Sequence, residues 1–189
     1  MHEVNDQSFD SKDFTQQPLT TGTYDNCTFT NCNFYEANLT SSIFIDCQFT
    51  GCNLSMSKLD KTVLRDIKFK DCKMLGLLFD KCAPFGLAFF FDNCQLNYAS
   101  FIETKIKATT FRNSKLEEAN FSGCDLSDAV FDNCDLIRTV FDNTNLEKAD
   151  FRTAYNYSID PERNRMKKAR FSLHGVAGLL DKYDLRIEL

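Results

Sequence analysis

Residues 111–151 read FRNSKLEEAN FSGCDLSDAV FDNCDLIRTV FDNTNLEKAD F, and one spacing organises them. Phe stands at 111, 121, 131, 141 and 151, with Leu midway at 116, 126, 136 and 146. A large apolar side chain therefore recurs every fifth residue. Outward from this stretch, all thirteen such positions from Phe91 to Phe151 are apolar, as are all twelve from Tyr24 to Phe79. The two registers are offset by two residues, and the earlier one runs back through Leu19, Phe14 and Phe9. A second column lies two residues before each centre and is mostly small: Cys27, Cys32, Ala37, Ser42, Cys47, and later Ala119, Cys124, Ala129. The other three positions are largely Asp, Asn, Lys, Glu, Ser and Thr.

Period five fits neither regular element. On an α-helix a residue five along lies about 140° round the axis, so the column would spiral off any face. On a strand side chains alternate with period two, so an odd step would carry the column from core to solvent. The pattern requires a corner in every pentapeptide, each short side sending one large and one small side chain inward. One such turn cannot bury its own interior, so turns must stack. The expected architecture is an all-β solenoid.

Composition limits the function classes. The chain has 189 residues with a net charge of −5, which suits one domain and gives no basic excess for nucleic acid or an anionic membrane. The longest apolar run, Phe85 to Phe91, has 7 residues, against the roughly 20 of a transmembrane helix. The start MHEVNDQSFD lacks a basic and then apolar leader. All nine cysteines fall in the small inward column, where a thiol acts as a small buried hydrophobe. Their odd number and spacing of five argue against a disulfide framework or a zinc knuckle. Free buried thiols, no metal and a cytoplasmic location are expected. The two histidines, His2 and His174, lie in an N-terminal segment expected to be mobile and in the tail. No nucleophile elbow, phosphate loop or metalloprotease motif is present. No catalytic residue and no cofactor are therefore assigned, and binding is the remaining class.

The passages Ala119-Asn120-Phe121, Cys124-Asp125-Leu126, Cys134-Asp135-Leu136 and Ala149-Asp150-Phe151 resemble the A(D/N)LXX pattern of the pentapeptide-repeat family. The resemblance spans about residues 22–172. It implies a right-handed quadrilateral β-helix with four pentapeptides per coil. From Phe91 to Phe151 aromatic and aliphatic centres alternate, which agrees with four sides, because positions ten apart then face each other and positions twenty apart stack. About six coils, rising about 4.8 Å each, make a rod of roughly 30 Å. Residues 1–21 form an N-terminal segment partly in register, 22–154 the solenoid with a break at 83–90, and 155–189 the C-terminal turn, last repeat and cap. Pro84 and Gly86 mark the break as a bulge or kink, with Phe85, and beside it Phe90, as partner-contact candidates. In the tail, Ser172 is positioned to cap a short helix carrying Val176, Leu179, Leu180 and Tyr183, followed by a strand through Leu185, Ile187 and Leu189. Val176, Leu179, Leu180, Tyr183 and Ile187 are the candidate cap and dimer residues.

The tail also resembles that of Qnr-type quinolone-resistance proteins, in Ile159-Asp160-Pro161-Glu162-Arg163, Gly178-Leu179-Leu180 and Leu185-Arg186-Ile187. That resemblance implies a homodimer through the cap and, as protein partner, DNA gyrase or topoisomerase IV bound by DNA mimicry. Residues 117–150 carry nine acids against Arg138 and Lys148, a linear density comparable with duplex DNA. Asp125, Asp128, Asp132 and Asp135 are the candidate partner-binding acids, yet the acids are spread over all four sides. Residues 58–82 are net positive, and the projecting loops of Qnr proteins have no counterpart except the slip near Pro84. The chain is therefore read as a non-catalytic protein-binding module or scaffold, with a gyrase-binding DNA mimic as the alternative.

Overall fold

The computed structural model describes residues 2–186 and has the expected solenoid form. Its strands are β1 (His2–Asn5), β2 (Ser8–Asp10), β3 (Gly22–Asp25), β4 (Thr28–Thr30), β5 (Ile43–Ile45), β6 (Gln48–Thr50), β7 (Val63–Arg65), β8 (Ile67–Lys70), β9 (Phe89–Asp92), β10 (Thr110–Arg112) and β11 (Val130–Asp132). All pairing is parallel. Face one is a four-stranded sheet ordered β1-β3-β5-β7, and face two is seven strands deep, running from β2 through β4, β6, β8, β9 and β10 to β11. Isolated bridges build faces three and four, as in Asp13 to Asn33 to Asn53 and in Asn38 to Lys58. Each coil takes twenty residues, as Phe9 opposite Phe29 and Phe111 opposite Phe131 show. The exception is Phe69 opposite Phe91, the two-residue slip.

The core is a set of stacked rings. On face two, Phe9, Phe29, Phe49, Phe69, Phe91, Phe111, Phe131, Phe151 and Phe171 form one ladder with neighbouring centroids between 4.7 and 5.3 Å apart. On the opposite side Phe79, Phe101, Phe121 and Phe141 form a second, at 4.5 to 5.4 Å. The two ladders meet edge to face, as in Phe101 and Phe111 at 89°. This geometry pairs the positive ring edge with the negative ring face. From Phe91 to Phe151 aliphatic centres occupy the other two sides, whereas in the first coils those sides also hold rings, Tyr24 stacking on Phe44 (5.3 Å) and Phe14 on Phe34 (4.6 Å).

Corners are made at the residue two after each centre. These residues hold a left-handed backbone: Asn26 at φ 51°, Glu36 at 54°, Lys61 at 56°, Arg138 at 55°. That conformation costs a non-glycine residue about 1–2 kcal/mol. It is held because most corner amides donate to a carbonyl of the next coil, as Asn26 N does to Ile45 O (3.0 Å) and Asp128 N to Glu147 O (2.9 Å). Gly51, Gly76 and Gly123 are the corners that relieve the strain by composition.

The small inward column has a second job besides fitting. Its thiols and hydroxyls donate to the backbone carbonyl of a centre in the preceding coil. Cys47 Sγ reaches Tyr24 O (3.3 Å), Cys134 Sγ reaches Phe111 O (3.3 Å), Ser57 Oγ reaches Phe34 O (2.6 Å) and Thr144 Oγ1 reaches Phe121 O (2.8 Å). All nine cysteines are buried and free. Burial pushes the thiols of Cys47, Cys82, Cys124 and Cys134 up to about 12.

Both ends differ from the sequence expectation. The N-terminal segment is a further coil in full register, because β1 pairs β3 and β2 pairs β4. His2 is thus a strand residue, its ring 6.1 Å from that of Tyr24, and not part of a mobile terminus. At the C-terminal end the regular helix is replaced by two 3-10 turns, Val176–Leu179 and Asp181–Tyr183. Gly175 and Gly178 explain the change. Both disfavour an α-helix, and both let the backbone press on Tyr157, where a Cβ at either would lie within 2.2 Å of a Tyr157 atom. Ile159 N donates to Gly178 O, and Lys182 clamps Asp160 (2.7 Å) and Glu162 (2.6 Å). Ser172 Oγ does accept from Gly175 N (3.1 Å). The expected strand is not formed at Leu185 and Arg186, which follow the second 3-10 turn without regular structure, and Ile187 and Leu189 lie outside the described residues.

Two outcomes are expected. Phe121→Ala removes one ring from the second ladder and lowers the unfolding free energy by about 3–5 kcal/mol, read by urea denaturation. The raised thiols bind their protons more tightly folded than unfolded. Their contribution is full below the ordinary thiol value near 9 and is lost as pH rises towards about 12. Denaturation midpoints should therefore fall across that window, and a thiol reagent at neutral pH should label the chain only after unfolding.

Candidate partner-binding surfaces

The two extra residues of the slip have one place to go. The face-two ladder passes through unbroken, Phe69 and Phe91 stacking at 5.3 Å. Face one instead loses its strand after β7. A short 3-10 turn, Phe79–Lys81, leads into the segment, and Ala83 N still bonds Thr62 O (2.9 Å). Leu87 and Phe89 then turn inward, each 7% exposed, and Ala88 O accepts from Ile67 N (3.0 Å). Between these anchors Pro84, Phe85 and Gly86 bulge out. Gly86 has φ +77°, and a Cβ there would sit 3.1 Å from Arg65 Nε, so the Arg65 side chain lies along the bulge.

Phe85 is 80% exposed, against 0% for the ladder rings Phe91, Phe101 and Phe111. Next to it runs an open groove of about 510 Å³, lined by Asp80, Lys81, Pro84, Leu87, Ile102 and Glu103. Phe90 behaves differently. It is half-buried, and the Arg112 guanidinium lies over its ring at 5.3 Å. Of the two aromatics singled out in the sequence, Phe85 is presented and Phe90 is covered.

The acidic stretch is largely neutralised within the rod. Asp125 meets Lys107 (3.3 Å), Asp128 meets Lys148 (3.7 Å) and Glu118 meets Arg138 (2.9 Å), which also pairs Glu117. Asp142 meets Arg163 (2.7 Å), Glu147 meets Arg165 (2.8 Å), and Asp150 is held by Arg152 (2.8 Å) and Arg170 (2.9 Å). The basic run near residue 165 is thus mostly a counter-layer one coil beyond the acids. Burial pushes the Asp125 carboxyl up, but hydrogen bonds from Ser127 and the nearby Lys107 outweigh it and hold the carboxyl below its usual range. Hydrogen bonds from Arg152 do the same for Asp150. Among the described residues, Asp132 and Asp135 are the two of the nine without an ion pair. Asp132 accepts from Thr153 Oγ1 (2.9 Å) and Asp135 from Asn156 Nδ2 (2.8 Å). They stand on different faces, two and three. The four candidate acids are therefore not brought into one stripe.

At the cap, Leu179 packs partly against the core and Leu180 is half-buried. Val176 (38%) and Tyr183 (52%) are exposed. Leu173, at 87%, and Leu185, at 57%, are also exposed; Leu173 was not singled out in the sequence and Leu185 was read only as part of a strand, since nothing in a short polar-flanked tail marks which leucine points out. Among the described residues, no group of three or more His, Cys, Asp or Glu side chains is placed to hold a metal ion. Among the described residues, no helix is long and apolar enough to cross a membrane.

A family model described as a pentapeptide repeat region matches residues 17–83 and 42–121, and one for pentapeptide repeats in eight copies matches residues 114–152. No curated protein matches the chain significantly. Among solved structures, full-length QnrB1, a plasmid-mediated fluoroquinolone resistance protein, is 16% identical over 97% of this chain and 100% of its own, with a TM-score of 0.57. A trypsin-treated form of QnrB1 aligns at 16% identity over 99% of this chain and 100% of its own, with a TM-score of 0.52. HetL, a pentapeptide repeat protein involved in heterocyst differentiation regulation in the cyanobacterium Nostoc, is 18% identical over 89% of this chain and 84% of its own, with a TM-score of 0.41. Repeat, coil and family models agree, and the chain belongs to the pentapeptide-repeat family.

Proposed function

We propose that this chain is a non-catalytic protein-binding module that grips its partner at the joint, with Phe85 as the anchor. The observation that carries the reading is the contrast at 84–89. A chain that buries its other phenylalanines, fully or in part, presents one ring at 80% exposure, on a bulge fixed at both ends. An aromatic side chain pre-positioned on a rigid support loses little freedom on binding, and such residues are enriched among interface hot spots. Arg65 lies along the bulge, and the neighbouring groove carries Lys81 paired to Asp80 (3.2 Å) together with Glu103, so the partner surface that fits is an apolar pocket with a polar margin of mixed charge. The long, ligand-poor rod is then the support that holds this contact in place.

The second reading is DNA mimicry at a type II topoisomerase, suggested by the likeness to QnrB1. A mimic needs uncompensated acids aligned along one side. Here seven of nine acids in the stretch are paired within the rod, and the remaining two lie on different faces. The pairing favours the joint over the acids as the contact. The cytoplasm, where thiols stay reduced, is the compartment that suits nine free cysteines.

Two variants separate the readings, each measured by titration calorimetry with a partner purified on the wild-type chain. Phe85→Ala is expected to weaken binding about tenfold to a hundredfold, the loss of a typical aromatic hot spot. The double change Asp132→Lys, Asp135→Lys is expected to leave it nearly unchanged. If instead the acid reversal abolishes binding, Phe85→Ala does not, and the wild type inhibits gyrase supercoiling of relaxed plasmid, the mimic reading replaces this one.

A further inference from the structure

The two ends of the rod are not alike, and they match each other. At the N-terminal end β1 and β2 are edge strands, each paired on one side only. The core is open there. Val4 and Phe9 are half-buried, and a depression of about 480 Å³ runs among Val4, Phe9, Phe14, Leu19 and Tyr24. An open edge of this kind is a template for another strand. At the other end, faces one and two finish at Arg165 and Arg170, the last residues bridged there among the described residues. Met166 and Phe171 are half-buried at that edge, while the 3-10 turns cover the side of Tyr157 and Ile159.

Column by column, the ends are complementary. Coils repeat every twenty residues, with one step of twenty-two, so Val4 shares a column with Met166 and Phe9 with Phe171. In the same way Glu3 shares a column with Arg165, and Asp6 with Lys168. The first coil carries Glu3, Asp6, Asp10 and Asp13 against Lys12. None of these four acids joins an ion pair among the described residues, whereas most acids deeper in the 117–150 stretch do. The last coil carries Arg163, Arg165, Lys167, Lys168 and Arg170, and Lys167 and Lys168 have no acidic partner in the described ion pairs. Inside the rod, acids and bases twenty apart in one column do pair, as in Asp92 with Arg112 (2.6 Å) and Asp128 with Lys148 (3.7 Å).

We infer that a second copy of this chain docks head to tail, its first coil continuing the last coil of the copy before it. Phe9 of the incoming copy would extend the face-two ladder past Phe171, Val4 would cover Met166, and Glu3 and Asp6 would meet Arg165 and Lys168. Two N-terminal ends facing each other would set four acids against four and are disfavoured. A head-to-tail contact is heterologous and does not close, so it adds copies in a line and gives no fixed dimer. This inference is independent of the joint, which lies mid-rod.

The test is sedimentation equilibrium of the full chain over a concentration series, at low and high salt, with far-UV circular dichroism to confirm folding. The wild type is expected to exceed the monomer mass of 21.7 kDa and to keep rising with concentration without levelling at a dimer. High salt should reverse the rise, because exposed charges are screened. Asp6→Lys and Lys168→Asp should each weaken association about tenfold or more, and mixing the two variants should restore it, since each altered end then meets its complement. Should either fail to fold, Glu3→Lys with Arg165→Glu provides the same exchange. A monomer at every concentration overturns the inference. So does a closed dimer indifferent to both changes, which would place association at the cap, and so does loss without restoration on mixing.

Discussion

The vertical stacking of one coil on the next is the interaction on which the rest of this structure depends. Each coil must lay its rings on those below and its amides on the carbonyls above, and both requirements are met by the same twenty residues. Ring spacings of 4.7 to 5.3 Å along face two match the separation of parallel strands, so neither set of contacts strains the other. The strained corners follow from this. A left-handed Glu36 or Asp128 is unfavourable alone, and it is tolerated because its amide is bonded by the neighbouring coil.

The same constraint shapes the surface. A residue pointing out stands directly over the residue twenty before it, so substitutions on the outside act in columns. Asp92, Arg112, Asp132 and Arg152 alternate in sign up one column of face two, and the Arg112 guanidinium grips Asp92 through two nitrogens at 2.9 and 2.6 Å. Asparagine and aspartate ladders do likewise, as with Asn145 donating to Asp125 (2.9 Å). Where the coil length changes, the surplus is expelled. The two extra residues after Cys82 cannot enter the ladder without breaking it, and the exposed Phe85 is the result.

The fold was legible because its signal is a spacing. Phe, Leu and Cys columns at fixed intervals specify which side chains face inward and how many sides a coil has, and from Phe91 to Phe151 face two and its opposite carry the rings as the alternation requires. The first coil was harder to see, because His2–Asn5 offers one apolar residue, Val4, and its pairing with β3 is a long-range fact. The corners were only partly legible: many are Asn, Asp or Gly, which tolerate a left-handed backbone, but others are as varied as Ala108, Met56 and Tyr98. The acids could be assigned to faces but not to partners, for Arg163 and Arg165 lie about twenty residues from Asp142 and Glu147. The joint was marked by Pro84 and Gly86, yet which of Phe85, Phe89 and Phe90 turned outward rested on where the ladder reattached. The tail misled through propensity: Val176 to Tyr183 reads as a helix until Gly175 and Gly178 are placed against Tyr157.

The most direct test of the twenty-residue constraint is thermal unfolding of two internal deletions, one of residues 111–130 and one of residues 111–115. Removing a whole coil rejoins Thr110 to Phe131 with every column intact. Removing a quarter of a coil turns the rest of the chain by one side, putting Leu116 in the place of Phe111 and Phe121 in the place of Leu116, so that aliphatic columns of one part meet Phe columns of the other and the outward charge pairs are broken. The account predicts a cooperative transition with β-rich circular dichroism for the first chain and loss of that transition for the second. Equal stability of the two deletions, or loss of folding in the whole-coil deletion alone, would contradict it.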